Sequence, residues 1–430
     1  MKILLKGGTV IDPASGLEEI TDILIENRVI KRIGKNIRSA GQVINISGMT
    51  AAPGFVDIHT HLREPGREDT ETIASGTAAA ARGGFTTVCA MPNTDPAIDS
   101  VSGVKYILTT CAQEGKVQVL PVGAITKQRA GSELTEAGKM SNAGIVALSD
   151  DGSPVMDSQV MRRAMEYAKM FGLIIISHCE DLNLSRDGMM NEGLISTTTG
   201  LKGIPRQAET VMAARDIALA ELTGCRLHIA HVSAARTAEM IRDAKKRGIP
   251  VTAEVTPHHL TLTDEYLRGY DTNCKVNPPL RSEEDRKCLV KALKEGIIDC
   301  VATDHAPHLD TEKAREFYLA PFGVTGLETA FAVLHGELVE KKKISLSSLI
   351  GRMSSGPASV LGRDDIGRLS EGGWADITVI DTKREKTVTE SFFASKSRNS
   401  PYLGRKIRGL PALTIFRGRT VWKDDEVFSQ

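Results

Sequence analysis

The sequence lacks an excess of charge of either sign, and it lacks a run of apolar residues long enough to cross a bilayer. Its 430 residues include 54 lysines and arginines against 54 aspartates and glutamates, so the net charge at neutral pH is zero. Such a balance offers no electrostatic footprint for nucleic acid or for an anionic membrane, and a membrane span needs about 20 consecutive apolar residues. We therefore expect no nucleic acid and no membrane as partner; the expectation of a small-molecule substrate rests on the motifs described below.

The cysteines and the N-terminal stretch both bear on the cellular compartment. The seven cysteines are odd in number and contain no CxxC pair, which argues against a disulfide framework and favours a reducing compartment. The N-terminal stretch MKILLKGGTV has too short an apolar run for a secretory signal. The hydrophobic content of 41% is ordinary for a soluble globular protein. The sequence therefore predicts a cytoplasmic protein.

The middle of the chain alternates short apolar, β-branched runs with longer segments of helical character. The short runs are AAPGFVDIH, FTTVCAMPN, VQVLPVGAI, GIVALSDDG, LIIISHCED, CRLHIAHVS, IPVTAEVTP and IDCVATDHA. Helical patterns lie between them at 70–82, 158–171, 208–222, 235–247 and 283–295. Eight strands that alternate with helices predict an α/β fold, in which parallel βα units close into a TIM-type (β/α)8 barrel.

The two chain ends have a different pattern, with short β-rich runs separated by Gly, Asn and Ser. The first 52 residues contain KILLKGGTVI, TDILIENRVIKRIG and QVINIS, and the style resumes from residue 366 with GRLSEGGWADITVID and ALTIFRGRTVW. Such runs between turn-forming residues are typical of strands. We predict that 1–52 and 366–430 combine into one small β domain beside a barrel formed by 53–365.

The stretch PGFVDIHTHLREPG, residues 53–66, places His59 and His61 one residue apart at the end of the first predicted strand. Side chains alternate between the two faces of a strand, so both imidazoles point the same way and could hold one metal ion. Taken by itself, the pair fits two hydrogen-bonded histidines near the surface better than a metal site. The residues at the other strand ends decide between these interpretations.

Polar side chains follow most of the predicted strands, and in a TIM barrel the active site lies at the carboxyl ends of the strands. These residues are His59 and His61, Asn93, Asp150 and Asp151, His178, His231, and Asp304. Four of these residues are histidines, and with at least two of the carboxylates they make six protein ligands. Six are too many for one tetrahedral zinc, and they suit two metal ions that share a bridging carboxylate. Imidazole and carboxylate ligands favour zinc, with manganese or cobalt as alternatives.

The motifs HLREPG, MPNT, SDDG, SHCED, AHVS and DHAPH together resemble those of the amidohydrolase superfamily and, within it, the class I dihydroorotases. The resemblance covers essentially the whole chain. It implies reversible hydrolysis of the cyclic amide of dihydroorotate to N-carbamoyl-aspartate, a step of pyrimidine biosynthesis, at two zinc ions bridged by Asp151 and a hydroxide. The residues that match the ligands of one ion are His59, His61 and Asp304, and those that match the ligands of the other are His178 and His231.

The end of the fourth strand separates subfamilies of this superfamily. Many relatives, including hydantoinases, bridge their metals there with a carbamylated lysine, whereas this sequence has ALSDDG and no lysine. An aspartate can bridge as well, and Asp151 is the residue that matches the pattern of class I dihydroorotases. Adjacent Asp150 would point to the opposite face if the strand persists. We therefore prefer Asp151 as the bridge.

The ring of dihydroorotate bears a carboxylate, which calls for a fixed cation. Arg63 lies just beyond the histidine pair and presents a guanidinium fork suited to a carboxylate; a surface ion pair with Glu64 is the alternative. The resemblance implies that Asp304 acts as general base and then general acid, taking a proton from the hydroxide and passing it to the departing nitrogen. It implies further substrate contacts from His61, Asn93, Asn277, His308, Phe322 and Gly323.

Three further expectations concern residues near these motifs. Asp57 shares the strand face of His59 and is expected to orient an imidazole as a hydrogen-bond acceptor. His228, three residues before His231, is expected to face the opposite side and to pack against a helix. The long, charged segment 309–319 is a candidate lid over the site.

Two rival functions remain open. A related cyclic amidohydrolase, allantoinase or dihydropyrimidinase, is disfavoured by the absent lysine and by Arg63. A non-catalytic scaffold that partners aspartate transcarbamoylase is disfavoured because no metal ligand is missing. The family suggests a homodimer and, in some members, a complex with aspartate transcarbamoylase.

Overall fold

Parallel strands form the centre of the computed structural model, which describes residues 2–39 and 41–428. Within these residues eight strands lie side by side in the order in which they occur along the chain. They are Phe55–Thr60, Phe85–Ala90, Gln118–Gly123, Ala147–Leu148, Ile174–Ser177, Leu227–Ile229, Val251–Val255 and Cys300–Val301. The backbone N–H of His61 donates to the carbonyl of His305, 2.9 Å away, and so joins the end of the first strand to the chain after the eighth. The predicted (β/α)8 barrel is confirmed.

The barrel strands are buried on both faces, as parallel strands under a layer of helices must be. In the first strand, Phe55 packs in one apolar cluster, with its ring 5.4 Å from that of Phe331. Val56 and Ile58, on the alternate positions, belong to a second cluster that includes Ala358 of a helix near the end of the barrel. Continuous burial explains why these runs are almost wholly apolar until the strand ends.

Helices follow the strands, and several of them start at a residue whose side chain caps the first turn. The carboxylate of Asp157 accepts the backbone N–H groups of Gln159 and Val160 and so begins the helix Ser158–Met170. The longer helices are Ile73–Arg82, Val101–Glu114, Ala137–Ala143, Ser158–Met170, Gln207–Thr223, Ala235–Lys246, Glu283–Glu295, Leu346–Met353 and Ser355–Leu361. Shorter helices are Leu182–Ser185, Leu194–Thr199, Pro257–Thr261, Asp310–Lys313 and Ala330–Leu334, the last of which continues as a π-helix over His335–Glu340. No helix in the described part of the chain is both long and apolar enough to span a bilayer.

The chain ends meet in a second sheet, which confirms the composite β domain. Its strands are Lys2–Asp12, Leu17–Glu26, Val29–Gly34, Gln42–Asn45, Thr50–Pro53, Ile377–Thr387, Lys406–Phe416, Arg419–Lys423 and Glu426–Val427. The N-terminal part joins the C-terminal part where Thr50–Pro53 pairs antiparallel with Ile377–Thr387. Since only Gly54 separates Pro53 from Phe55, which begins the first barrel strand, the sheet is tied to the barrel at this point.

Candidate active site

A single carboxylate, that of Asp151, lies among four imidazoles at the carboxyl ends of the barrel strands. Its Oδ1 atom is 3.3 Å from Nε2 of His59, 3.5 Å from Nδ1 of His178 and 3.6 Å from Nε2 of His231. Its Oδ2 atom is 3.5 Å from Nε2 of His61. All five side chains are buried. They form two groups with the spacing of metal ligands, and Asp151 belongs to both.

Asp304 lies on the side of the first group. Its Oδ1 atom is 3.0 Å from Nε2 of His61 and 3.7 Å from Nε2 of His59. Burial by itself would raise the pKa of Asp304, but the hydrogen bond from His61 and the nearby imidazoles lower it below the usual value. The carboxylate is therefore ionised at neutral pH and able to accept a proton.

Two buried atoms at the centre have no hydrogen-bond partner among the described residues: Nε2 of His59 and Oδ1 of Asp151. Buried polar atoms are normally paired, so an orphaned imidazole nitrogen facing an orphaned carboxylate oxygen indicates a missing cation. Nδ1 of His178 and Nε2 of His231 also lie only 2.9 Å apart. The imidazole and carboxylate donors of this centre thus fit a bound divalent metal.

Asp150, the alternative bridge, is turned away from this centre. Its Oδ1 atom accepts the backbone N–H groups of Ile125 and Thr126, at 2.8 and 3.1 Å, and its Oδ2 atom accepts the hydroxyl of Thr126. The fourth strand ends at Leu148, so neither aspartate lies within it. Asp150 instead fixes the loop after the third strand, whereas Asp151 faces the histidines.

A buried glutamate that the sequence analysis missed holds His59 from behind. Glu254, in the seventh strand, accepts from Nδ1 of His59 at 2.6 Å, from Nε2 of His228 at 3.1 Å and from the backbone N–H of His231 at 3.2 Å. A carboxylate on one ring nitrogen fixes the imidazole so that the other nitrogen, Nε2, is free to bind a metal. Despite complete burial, the two histidines lower the pKa of Glu254 below its usual value.

Two expectations about this part of the barrel were wrong. The carboxylate of Asp57 accepts backbone N–H groups, from His59 at 3.0 Å and from Thr303 at 3.2 Å, and orients no imidazole. His228 does not pack outward against a helix but bonds to Glu254. The alternation argument fails because the sixth strand ends at Ile229, before it reaches His231. A lone acid in the apolar run IPVTAEVTP was the signal that could have found Glu254.

Glu180, in the motif SHCED, holds the second histidine group in the same way. Its Oε2 atom is 2.9 Å from Nε2 of His178 and accepts from Nδ2 of Asn277 at 2.8 Å. Burial opposes the charge on both partners, but hydrogen bonds with Asp151 and Glu180 raise the pKa of His178 to about 10, and the bond from His178 lowers the pKa of Glu180 to about 2. Asn277 is thereby placed beside the metal-ligand set.

Three of the predicted site residues have left-handed backbone conformations. The φ angles are 61° at Arg63, 31° at His231 and 48° at Asp304. Such angles cost about 1 kcal/mol or more for residues with a Cβ, and they concentrate at functional sites. The chain therefore leaves the strand at each of these positions and redirects the side chain toward the centre.

The predicted residues line one cavity of about 390 Å³, large enough for a small cyclic substrate. The lining consists of His61, Arg63, Asn93, Asp151, Gly152, His178, His231, Asn277, Asp304, Ala306, His308, Pro321, Phe322 and Gly323. Among the predicted set, His59 lies behind this surface, where it is fully buried against Asp151. Asn93 is 2.7 Å, by its Oδ1 atom, from Nδ1 of His61 and so fixes that ring.

Arg63 points across the cavity rather than toward Glu64. Its Nε atom donates to the carbonyl of Pro307 at 3.1 Å, and its Nη2 atom is 3.3 Å from Nε2 of His308. That Nε2 atom is 2.7 Å from the carbonyl of Phe322 and must donate to it. The hydrogens on Nη2 therefore remain available. Glu64 instead accepts from the backbone N–H of Ile73 and from the hydroxyl of Tyr106, so the ion-pair alternative is wrong.

Arg63 keeps its positive charge inside the cavity, whereas the imidazole of His308 is neutral. Burial lowers the pKa of Arg63 to about 10, well above neutral pH. Burial and then the positive charges of Arg63 and Lys313 lower the pKa of His308 to about 2. This side of the cavity therefore offers a ligand one fixed positive charge, at Arg63, and a neutral imidazole, at His308, whose Nε2 hydrogen is already donated to the carbonyl of Phe322.

The segment proposed as a lid is anchored at its helix. Nζ of Lys313, a buried residue at the end of Asp310–Lys313, donates to the carbonyls of Pro321 at 2.9 Å and Gly323 at 3.0 Å. Both groups of Gly323 are engaged within the protein, since its N–H donates to the carbonyl of Lys275. Hydrogen bonds with Lys313 and Lys275, which do not line the cavity, thus hold the wall formed by Phe322 and Gly323.

Comparison with known proteins identifies relatives of this chain by sequence and by structure. A family model described as dihydro-orotase-like matches residues 48–237. Dihydroorotases from Pelotomaculum thermopropionicum and a Thermoanaerobacter species are 52% and 50% identical, each over 99% of this chain and over 99% and 98% of their own length. Among solved structures, the L-hydantoinase (dihydropyrimidinase) from Arthrobacter aurescens is 25% identical, with a TM-score of 0.90 over 100% of this chain and 97% of that one.

The hydantoinase likeness accounts for the barrel with its composite sheet, and the dihydroorotase likeness extends to the sequence of the whole chain. The likeness to dihydroorotases is the more specific of the two, because about half of the residues are identical over nearly the full length. The residues that follow the fourth strand also favour the dihydroorotases over the hydantoinases, because they include Asp151 and no lysine. The chain therefore belongs to the dihydroorotase family of the amidohydrolase superfamily.

Proposed function

We propose that the chain catalyses the reversible hydrolysis of the cyclic amide of dihydroorotate to N-carbamoyl-aspartate with two bound zinc ions. His59, His61 and Asp304 would hold one ion, and His178 and His231 the other, with Asp151 between them. The observation that carries the proposal is Asp151 itself, a buried carboxylate with an unpaired oxygen among four imidazoles. The extensive identity to dihydroorotases supports the choice of substrate.

Two divalent cations at this position would polarise the scissile carbonyl and lower the pKa of water. The protein supplies what the cations cannot, namely a proton acceptor at the reacting atoms. Asp304 is ionised, and His61 holds its Oδ1 atom. We assign to this carboxylate the removal of a proton from the attacking water and its delivery to the departing ring nitrogen.

Recognition of the substrate falls to the other side of the cavity. Arg63 would bind the ring carboxylate with its free Nη2 hydrogens, and a guanidinium bound to a carboxylate is worth more than a neutral hydrogen bond. Further polar contacts would come from His61, Asn93, Asn277 and His308, while Phe322 and Gly323, whose carbonyls are already bonded within the protein, would form a wall in van der Waals contact with the ring. Burial of the ring against these groups excludes water from the carboxylate contact, which strengthens it.

The two rival functions, a related cyclic amidohydrolase and a non-catalytic scaffold, would require different residues at this site. A hydantoinase-like centre uses a lysine at the end of the fourth strand, where the sequence is Ser149, Asp150 and Asp151. A scaffold without catalysis has no use for buried histidines held by Glu254 and Glu180. We propose in addition a cytoplasmic homodimer that can associate with aspartate transcarbamoylase, and a division of the chain at residues 52 and 365.

One experiment tests the function and its metal together. The purified protein is stripped with a chelator, reloaded with zinc, manganese or cobalt, and assayed on dihydroorotate, hydantoin and allantoin in parallel, with metal content measured on the same samples. We expect two equivalents of zinc and turnover of dihydroorotate that far exceeds turnover of the other rings. Turnover of hydantoin or allantoin at the higher rate, or full activity in the stripped protein, would contradict the proposal.

A further inference from the structure

The C-terminal segment SKSRNSPYLG, residues 395–404, contributes a side chain to the back of the substrate cavity. Asn399 in this segment is 2% exposed and uses its whole amide. Its Nδ2 atom donates to the carbonyls of Ala306 at 3.1 Å and Gly323 at 3.0 Å, and its Oδ1 atom accepts from the backbone N–H of His308 at 3.1 Å. Its own carbonyl accepts from the N–H of Thr325 at 2.9 Å.

The three partners of this amide belong to two separate loops. Ala306 and His308 follow the eighth barrel strand, and Gly323 lies in the loop that returns after the anchored helix Asp310–Lys313. All three residues line the cavity. The loops are in close contact, because a Cβ on Gly323, whose φ is +129°, would lie 2.8 Å from Cβ of Ala306 and 3.0 Å from Nε2 of His308. A backbone bond from the N–H of Ala306 to the carbonyl of Val324, at 2.8 Å, already joins the two loops on one side, and Asn399 joins them where they carry His308 and Gly323.

We propose that Asn399 is a positioning residue for substrate binding, which fixes the distance between the two loops that carry His308 and Phe322–Gly323. The proposal rests on the proposed function, since it concerns the wall that would bind the ring carboxylate with Arg63. Asn399 does not line the cavity itself. It acts through the hydrogen bond between His308 and the carbonyl of Phe322, which forms only at one spacing of the loops.

An amide is the side chain that this place requires. Two carbonyl oxygens need donors and one N–H needs an acceptor, and asparagine supplies both at a length that reaches all three. An aspartate would keep the acceptor but would set a carboxylate oxygen against two carbonyls. A leucine of similar size would leave three buried backbone groups with one partner fewer. Lys313 offers a second donor to Gly323, and the two side chains hold that carbonyl from different parts of the chain.

The test compares Asn399→Asp and Asn399→Leu with a matched control in the same segment. The control is Ser397→Ala, because Ser397 is equally buried but bonds to the carbonyl of Thr70, away from both loops. For zinc-loaded protein we expect the KM for dihydroorotate to rise about tenfold or more in both Asn399 variants, with kcat within about threefold of the wild type. Metal content should stay unchanged, and Ser397→Ala should lower Tm without changing KM.

Each outcome decides the matter. Folded Asn399 variants with the wild-type KM would overturn the proposal, and so would an equal rise of KM in Ser397→Ala, since the effect would then be general loosening. If both Asn399 variants fail to fold, Lys313→Met, which removes the other donor to Gly323, must raise KM in their place or the proposal fails. A zinc-loaded wild type without activity on dihydroorotate would instead reject the proposed function.

Discussion

Replacement of Glu254 by glutamine should weaken metal binding without touching any metal ligand. The carboxylate accepts three hydrogen bonds, from the side chains of His59 and His228 and from the backbone of His231. A glutamine has one accepting oxygen, so its NH2 group must face one of these donors. The ring of His59, bonded at 2.6 Å, loses its charged partner and with it the fixed orientation of Nε2.

The size of the effect follows from what is lost. A hydrogen bond to a charged group contributes about 1.5–3 kcal/mol. Removal of a carboxylate that orients a metal-binding histidine typically lowers affinity by about 10–100-fold, and the two figures agree, since about 1.4 kcal/mol corresponds to a factor of ten. We therefore expect the dissociation constant for zinc at the site of His59 and His61 to rise by about 10–100-fold in Glu254→Gln.

Competition with a chromogenic chelator measures this constant, with circular dichroism on the same samples to show that the variant is folded. Glu328→Gln is the matched control, because Glu328 is also a buried glutamate but accepts from the backbone N–H of Ala394. Its zinc affinity should equal that of the wild type. A folded Glu254→Gln protein with wild-type affinity would refute the assignment of Glu254 as the residue that orients His59.

Three further predictions concern the residues that face the cavity. Asp151→Asn should lose most activity and hold fewer than two metal ions per chain by elemental analysis, because two cations would share one negative charge fewer; Asp150→Asn should lower Tm yet keep its metals, and the reverse pattern would exchange their roles. Arg63→Lys keeps the charge but loses the planar fork of the guanidinium, so kcat/KM for dihydroorotate in steady-state assays should fall by a factor that corresponds to about 2–4 kcal/mol. An unchanged kcat/KM would remove Arg63 from the substrate site. Asp304→Asn cannot accept a proton, so kcat should fall by about 10²–10⁴-fold, while metal content falls modestly; activity that declines strictly in proportion to metal would leave Asp304 as a ligand alone.

The barrel could be predicted because its strands carry two signals at once. Each run is apolar where it is buried on both faces, and most runs end in a polar residue where the chain reaches the cavity, as in Phe55–Thr60 followed by His61. Alternation along a strand therefore placed His59 and His61 correctly. Both signals are local, and both survive errors of a residue or two in the strand bounds.

The groups behind the ligands could not be predicted in the same way. His231 and Asp304 lie beyond the ends of their strands with positive φ angles, so period-two reasoning no longer tells where a neighbouring side chain points. For that reason the role of His228, inferred from its spacing to His231, was wrong. Asp57 and Glu254 lie inside their strands, but each bonds to residues of other parts of the barrel, which the pattern of one strand does not encode. Asn399 is separated from the loops it joins by 76 to 93 residues along the chain, and no local pattern encodes such a contact.

The pairing of the two chain ends also sets an order of events during synthesis. Every proposed metal ligand, from His59 to Asp304, leaves the ribosome before the strand Ile377–Thr387 that covers the edge of Thr50–Pro53. A nascent chain that ends short of Asn399 thus carries the complete ligand set, yet the loops of His308 and Gly323 have no amide to join them. The candidate metal ligands and the wall of the substrate cavity thus depend on different lengths of the chain, because the wall needs a residue that is synthesised about 95 residues after the last ligand.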